Sequence, residues 1–184
     1  MLELILGGAR SGKSSYAEKC ALDNQQPTLL IATATADDGE MLQRIELHKK
    51  QRDDSIEVLE EPLQLAKVLI ENMGSNKTII VDCLTLWLSN LLLKYEANVE
   101  TCDEFVAFVD SLSKISVQSN SSVYIANVYI VSNEVGMGII PLGHLNRIYC
   151  DAVGRLHQAI ATKAQRVTLM VAGLPHSIKS EVNK

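Results

Sequence analysis

Gly7-Gly8-Ala9-Arg10-Ser11-Gly12-Lys13-Ser14 constrains this chain more than any other segment. It fits G-x-x-x-x-G-K-[ST] and sits between an apolar run, Leu2–Leu6, and a segment of helical period, Ser14–Leu22. A strand before and a helix after are the context that confirms the motif. Gly7 and Gly12 let the backbone curl with its amides turned inward, a path that residues with a Cβ resist. Those amides, together with the positive end of the following helix, form a cradle for an anion. Lys13 can reach the β- and γ-phosphates of a nucleotide, and the Ser14 hydroxyl is suited to Mg²⁺. A carboxylate ending an apolar strand should accompany such a loop, and Thr78-Ile-Ile-Val-Asp82 supplies one. Asp82 is therefore expected to hold the same Mg²⁺, directly or through water.

The rest of the chain alternates short apolar, β-branched runs with longer segments of helical period. Strands are predicted at Leu2–Leu6, Thr28–Ala32, Ile56–Leu59, Thr78–Asp82, Val128–Ser132 and Val167–Ala172. Near-continuous apolar runs suit strands covered on both faces of a parallel sheet. Helices are predicted at Ser14–Leu22, at Glu40–Arg52, from a first turn that holds Pro62 (with Leu65, Leu69 and Met73 on one face), and behind a Thr101/Glu104 capping box. The last helix carries Leu145, Ile148, Ala152, Leu156 and Ile160 along one stripe, and Gln118–Ser122 reads as a loop. Strand and helix in alternation give an α/β sandwich with a mostly parallel central sheet and helices on both faces. With 184 residues and no linker or repeat, one domain spanning 1–184 is expected.

Composition narrows the partners. Seventeen Lys and Arg against 22 Asp and Glu give a net charge of -5, which argues against nucleic acid as the partner, as does the lack of a basic–aromatic stripe. The four cysteines are scattered, without the close pairs of a metal clip, and read as reduced thiols. The start of the chain has neither a basic stretch nor a long apolar core, and the greasiest run, Cys83–Leu93, is interrupted by polar residues. A cytoplasmic protein with no integral membrane segment is expected. The Asn/Thr-Lys-x-Asp loop with which switch GTPases read their base is missing, since Asn76-Lys77-Thr78-Ile79 lacks the acid.

Arg44, His48 and Arg52 recur every four residues and so share one face of a helix. A neutral imidazole among cations is a good acceptor of a phosphoryl or nucleotidyl group, because the cations offset the charge that develops. On residue content alone, a solvated helix of mixed charge is the simpler reading. The segments Gly7–Ser14, Ile31-Ala-Thr-Ala-Thr35, Arg44-Ile-x-x-His48-Lys49, Asp82, Asn133-Glu-Val-Gly-Met-Gly-Ile139 and Gly154-Arg155 occur in this order. Together they resemble the bifunctional adenosylcobinamide kinase/adenosylcobinamide-phosphate guanylyltransferase family of cobalamin assembly, from about Leu4 to Lys179.

That resemblance implies a P-loop NTPase sandwich of the RecA-like type, a homotrimer, and two activities. Adenosylcobinamide would be phosphorylated with ATP or GTP, and its phosphate would then receive GMP from GTP through a guanylylated histidine. Carried over position by position, Gly7, Gly8, Ala9, Arg10, Ser11, Gly12, Lys13 and Ser14 would hold nucleotide phosphates, and Thr33, Ala34 and Thr35 would line the nucleotide site. His48 would be the nucleophile, with Lys49, Lys50, Gln51 and Arg52 along the same nucleotide. Glu60 and Asp82 match acidic positions that contact nucleotide or metal, although Glu61 adjoins Glu60 and the assignment could slip by one. Asn133 and Glu134 belong to the signature without a secure role; with Gly136 and Gly138 following, a structural turn is an equal reading. Two rivals stay open: a kinase without the transferase step, in which His48 is only structural, and a nucleotide-dependent regulatory module. His144, His157 and His176 are not at metal-ligand spacing and read as ordinary polar residues.

Overall fold

The computed structural model describes residues 1–35, 39, 52–117 and 127–180. Its order is β1 (Leu2–Gly7), α1 (Lys13–Asp23), β2 (Thr28–Ala32), β3 (Ile56–Glu60), α2 (Leu65–Asn72), β4 (Thr78–Asp82) and α3 (Leu84–Tyr95). A 3₁₀ turn (Glu96–Thr101) leads to α4 (Asp103–Val117), β5 (Val128–Asn133), α5 (His144–Lys163), β6 (Arg166–Val171) and β7 (Leu174–Ser180). The helix expected over Glu40–Arg52 and the loop Gln118–Ser122 lie outside the described residues, Arg52 excepted.

The strands form one seven-stranded sheet in the order β3-β2-β4-β5-β1-β6-β7. Every neighbouring pair is parallel except β6 and β7. Side chains alternate across the sheet, and the core divides accordingly. Leu2, Leu4, Ile31, Ile79, Val81, Val128 and Ile130 pack beneath α2, α3, α4 and α5. Ile5, Leu30, Ile80, Tyr129 and Val131 pack against Ala17 and Ala21 of α1. At ~25 cal/mol per Å² of buried apolar surface, covering both faces supplies the main driving force for the fold. No helix among the described residues is long and apolar enough to cross a membrane.

The six predicted strands appear at their predicted places with ends shifted by at most a residue or so. Several other expectations need correction. The Thr101/Glu104 box does not form, because stronger local partners take both side chains. Thr101 donates its hydroxyl to the Asn98 carbonyl inside the 3₁₀ turn, and the Glu104 carboxylate accepts from Tyr95 Oη at 2.7 Å and Lys94 Nζ at 3.1 Å. Pro62 lies ahead of α2 rather than in its first turn; Glu61 Oε1 instead accepts from the amides of Leu63 (2.9 Å) and Gln64 (2.7 Å). Leu145 begins the α5 stripe but is 51% exposed, so the buried stripe starts further along the helix.

His157 departs from its expected ordinary role. It is buried, its Nε2 lies 2.7 Å from Ser132 Oγ, and its Nδ1 lies 3.8 Å from Glu134 Oε2. Burial pushes its pKa below the ordinary 6.5, with Glu134 offsetting only part of that. The folded imidazole therefore stays neutral where the unfolded chain has begun to bind a proton. Its contribution is full above about pH 6.5 and declines as pH falls through and below that value. His157→Gln keeps a hydrogen-bonding partner for Ser132 but cannot titrate. The expected result is a melting temperature that falls more steeply for the parent than for H157Q between about pH 7 and pH 5. Parallel slopes in thermal melts would show that this imidazole is not held neutral by burial.

Candidate active site

The site is built along the carboxyl ends of β1, β2, β4 and β5, where loops leave a parallel sheet. The phosphate loop rises from β1 and enters α1 through Gly12, whose φ of 92° suits glycine. Gly7 has φ 151°, and a Cβ there would lie 2.5 Å from the Met170 carbonyl and 2.6 Å from Ser11 Oγ. Gly8, Ala9 and Arg10 are exposed at the crest, whereas Ser11 and Lys13 are buried. Ser14 is half-buried in the first turn of α1. The β6–β7 turn supports the loop from outside the motif, because the Gly173 amide donates to the Ser11 carbonyl at 3.1 Å. Sequence reasoning missed this buttress.

Lys13 Nζ donates to the Gly8 carbonyl at 2.6 Å and lies 3.4 Å from Ser11 Oγ. Burial pushes the ammonium pKa down, and the fields of Cys83 and Asp82 pull it partly back. A desolvated ammonium of this kind is strongly favoured by an arriving anion. Asp82 ends β4, half-buried. It stands two strands from β1, because β5 lies between β4 and β1.

β2 ends in a clamp on the chain after Asp82. The fully buried Thr33 takes Cys83 from both sides: its Oγ1 donates to the Cys83 carbonyl at 2.7 Å and accepts from the Cys83 amide at 3.0 Å. The Thr33 amide also donates to the Asp82 carbonyl at 3.2 Å. Thr33 thus reaches the site through Asp82 and Cys83, while Ala34 and Thr35 retain surface. Asn90 of α3, which the sequence reading did not single out, completes the junction. Its Nδ2 donates to the carbonyls of Thr33 (2.8 Å) and Pro62 (3.1 Å), and its Oδ1 lies 3.3 Å from Thr35 Oγ1. The only available signal was a polar residue interrupting an apolar run.

The β3 edge separates the two neighbouring acids. Glu61 spends its carboxylate capping the α2 entry and its amide on the Ala32 carbonyl at 2.9 Å. Glu60 instead lines a cavity of about 410 Å³ with Arg52, Asp53, Asp54, Ile56 and Val58. Arg52 Nε lies 3.6 Å from Glu18 Oε1 of α1. His48, Lys49, Lys50 and Gln51 lie outside the described residues. No group of three or more His, Cys, Asp and Glu that could hold a metal occurs among the described residues. A hydroxyl at Ser14 and a carboxylate at Asp82 are hard oxygen donors, the set suited to a Mg²⁺ that arrives on nucleotide phosphates.

Thr33→Val keeps the shape of the side chain while leaving a buried amide and a buried carbonyl without their partner. The expected loss in denaturant unfolding is roughly 2 to 4 kcal/mol. Unchanged stability with weakened nucleotide binding would instead mean that the hydroxyl serves the ligand directly.

The comparisons with known proteins agree with this geometry. A family model described as cobinamide kinase / cobinamide phosphate guanyltransferase matches residues 3–178. The bifunctional adenosylcobalamin biosynthesis protein CobP of Pseudomonas aeruginosa is 44% identical over 188 residues, covering 98% of this chain and 99% of that protein. The bifunctional adenosylcobalamin biosynthesis protein CobU of Salmonella typhimurium is 36% identical over 184 residues, covering 97% and 100%. Two solved structures share the fold at 15% identity and a TM-score of 0.50. One is the P4 protein from bacteriophage phi6 in complex with ADP (95% of this chain, 52% of that one), the other the flagellar accessory protein FlaH from Methanocaldococcus jannaschii (97% and 78%). The sheet is thus that of a P-loop NTPase. Because both the family match and the relatives run through the phosphate loop, the Asp82 strand and the β5 tip alike, the chain belongs to the cobinamide kinase / cobinamide phosphate guanyltransferase family, enzymes of cobalamin biosynthesis.

Proposed function

We propose that this enzyme runs both reactions at the carboxyl edge of its sheet and that the second passes through a guanylylated His48. In the first, the terminal hydroxyl oxygen of the aminopropanol arm of adenosylcobinamide bonds to the γ-phosphorus of ATP or GTP. The bond from that phosphorus to the β,γ-bridging oxygen breaks, and the hydroxyl proton passes to water. The loop amides and Lys13 carry the transferring charge. Ser14 and Asp82 would hold Mg²⁺, which neutralises phosphate charge when bound.

In the second reaction, a neutral nitrogen of His48 bonds to the α-phosphorus of GTP and pyrophosphate leaves. The phosphate of adenosylcobinamide phosphate then displaces the histidine, giving adenosyl-GDP-cobinamide. Splitting a reaction between two anions in this way gives each half a better-matched partner. The observation that carries this reading is the Arg52–Glu18 ion pair, which ties the end of the histidine segment to α1. Glu18 stands five residues along α1 from Lys13, roughly 7.5 Å of helical rise, and four residues from Arg52 to His48 span at most about 14 Å. Both lengths are compatible with an imidazole over the phosphate loop.

Nucleotide contacts would also come from Ala34 and Thr35, from Lys49, Lys50, Gln51 and Arg52, and from Glu60 rather than Glu61, whose carboxylate is committed to capping. We assign the protein to the cytoplasm as one domain per chain and a homotrimer. The 137–142 stretch, in which Met137, Ile139, Ile140 and Leu142 are 75–98% exposed, supports a covering surface in the assembly.

The test incubates the protein with Mg²⁺ and GTP labelled at the α-phosphorus, then supplies adenosylcobinamide phosphate. Covalent label should appear on the parent protein and leave as adenosyl-GDP-cobinamide. His48→Ala should take no label and lose adduct formation by at least about a thousandfold, while still phosphorylating adenosylcobinamide. An H48A protein that still forms the adduct at the parent rate would end the covalent route.

A further inference from the structure

Beyond Asn133 the chain leaves the catalytic edge and displays an apolar surface that neither reaction step uses. Met137, Ile139, Ile140 and Leu142 are at least three-quarters exposed, and Leu145, near the start of α5, is half exposed. No Asp, Glu, Lys or Arg occurs from Val135 to Asn146. So many large aliphatic side chains in one exposed, uncharged run mark a binding surface.

The run is held at both ends. At the β5 end, Asn133 Nδ2 donates to Thr85 Oγ1 at 3.2 Å, and the Glu134 amide donates to the Gly7 carbonyl at 3.0 Å. Glu134 Oε1 accepts from the Gly136 amide at 2.6 Å, and its other carboxylate oxygen lies 3.8 Å from Nδ1 of the buried His157. Asn133 to Gly136 thus makes the structural turn that the sequence allowed. At the α5 end, the Arg147 guanidinium donates to the carbonyls of Pro141 and Leu142, and the Arg147 amide donates to the Gly143 carbonyl at 3.1 Å. Both flanking charges are therefore engaged with backbone groups. What remains outward is aliphatic, followed by the exposed polar side chains of His144 and Asn146.

Position and chemistry together select an occupant. Through the Glu134–Gly7 bond the run starts at the first residue of the phosphate loop. Met137 is three residues from Glu134, at most about 11 Å of chain, and Ile140 six, at most about 22 Å. The cavity at Glu60 and the end of the histidine segment lie on the opposite flank, at β3, the far edge of the sheet. A cobinamide, the substrate named for this family, must bring one slender hydroxyl-bearing arm over the loop while its macrocycle stays outside. That macrocycle is rimmed by methyl groups and uncharged carboxamides, which offer no handle for an ion pair. An aliphatic surface with a few polar groups at its border is the complementary one.

We propose that Met137, Ile139 and Ile140 bear the corrin macrocycle of adenosylcobinamide and of its phosphate, with Asn146 donating to a peripheral carboxamide oxygen, so that the aminopropanol arm points toward Gly7 and Lys13. The surface exchanges no proton or electron; it binds and orients. The covering surface of the assembly is thereby divided. Leu142 and Leu145, at the start of α5, fall to a neighbouring copy, and the residues nearer the phosphate loop along the chain fall to the substrate. This assignment rests on the reading that the corrinoid reacts over the phosphate loop.

Two measurements test it. Hydrogen–deuterium exchange of the parent protein, read by mass spectrometry, should slow at amides within 136–143 when adenosylcobinamide is added. Mg²⁺ with a non-hydrolysable GTP analogue should leave those amides unchanged. The double substitution Ile139→Gln and Ile140→Gln should raise KM for adenosylcobinamide by at least about tenfold. Its kcat at saturation and its KM for nucleotide should stay at parent values, the split expected when binding shared by ground and transition states is lost. Exchange indifferent to the corrinoid, or a parent-like KM in the double variant, would overturn the proposal. So would slowing that follows protein concentration and not the corrinoid, since a second copy would then be the occupant. Should the double variant assemble differently from the parent, exchange in the parent protein decides. Protection by the corrinoid in an enzyme that forms no cobinamide phosphate would uphold the docking surface and fail the kinase reading alone. Phosphate formed without protection would fail the docking surface alone.

Discussion

Lys13 sets the terms for the rest of this structure. The residue is 7% exposed, and burial lowers the pKa of its ammonium. A cation in that position needs negative partners close by. The Gly8 carbonyl meets it directly, and Asp82 and Cys83 act on it from β4 and the turn beyond. Those partners are weaker than a polyphosphate, so the site is poised toward an anion rather than satisfied without one. The two close-packed glycines follow from the same requirement: a loop tight enough to bury a lysine leaves no room for a Cβ at Gly7.

Sheet order then decides which groups can share that anion. Inserting β5 between β1 and β4 puts Asp82 one strand further from the loop, two strands from β1, and brings the β5 tip to the loop's side. Alternation sorts the polar residues at this edge by face. Asp82 and Asn133 fall on the face of α1, where the phosphate cradle opens. Ser132 falls on the other face, under α5, where it meets His157. One strand end thus presents a polar group to the site and another to its support, and the spacing of one residue does both.

What was legible in the sequence follows from the same physics. Of the six strands found, β1, β2, β4 and β5 could be read because they are largely apolar runs buried between layers of helix, whereas β3 lies at the edge with only Ile56 buried and shows just a short apolar stretch between acids. β7 could not: Leu174, Pro175 and Ile178 are exposed on an edge, and the strand has neither a continuous apolar run nor a clean alternation. Its one signal was Ala172-Gly173, which turns with φ of 53° and 82°, as a tight hairpin requires. α3 hid for the opposite reason. Leu84, Trp87, Leu88 and Leu91 are buried in a segment so apolar throughout that no helical period stands out. The phosphate loop and Asp82 were readable because their chemistry needs particular residue types at particular spacings. Thr33, Asn90 and His157 act through hydrogen bonds to groups 25 to 57 residues away, which no local pattern records.

The resemblance gave positions, and the structure divides those positions by how they can act. Ala34, Thr35, Arg52 and Glu60 have surface at the edge where a nucleotide would lie, whereas Thr33 has none and commits both faces of its hydroxyl to Cys83. Glu60 and Glu61 are separated by the same criterion, since capping α2 consumes one of the two carboxylates. A residue can therefore shape this edge of the sheet while presenting no surface to it. Thr33 is the clearest case. Holding both backbone groups of Cys83 fixes the chain beside Asp82, and through Cys83 and Thr85 the same junction orients the Asn133 carboxamide. One buried hydroxyl thereby couples the two polar groups that flank the phosphate loop, and loosening it would disturb both together.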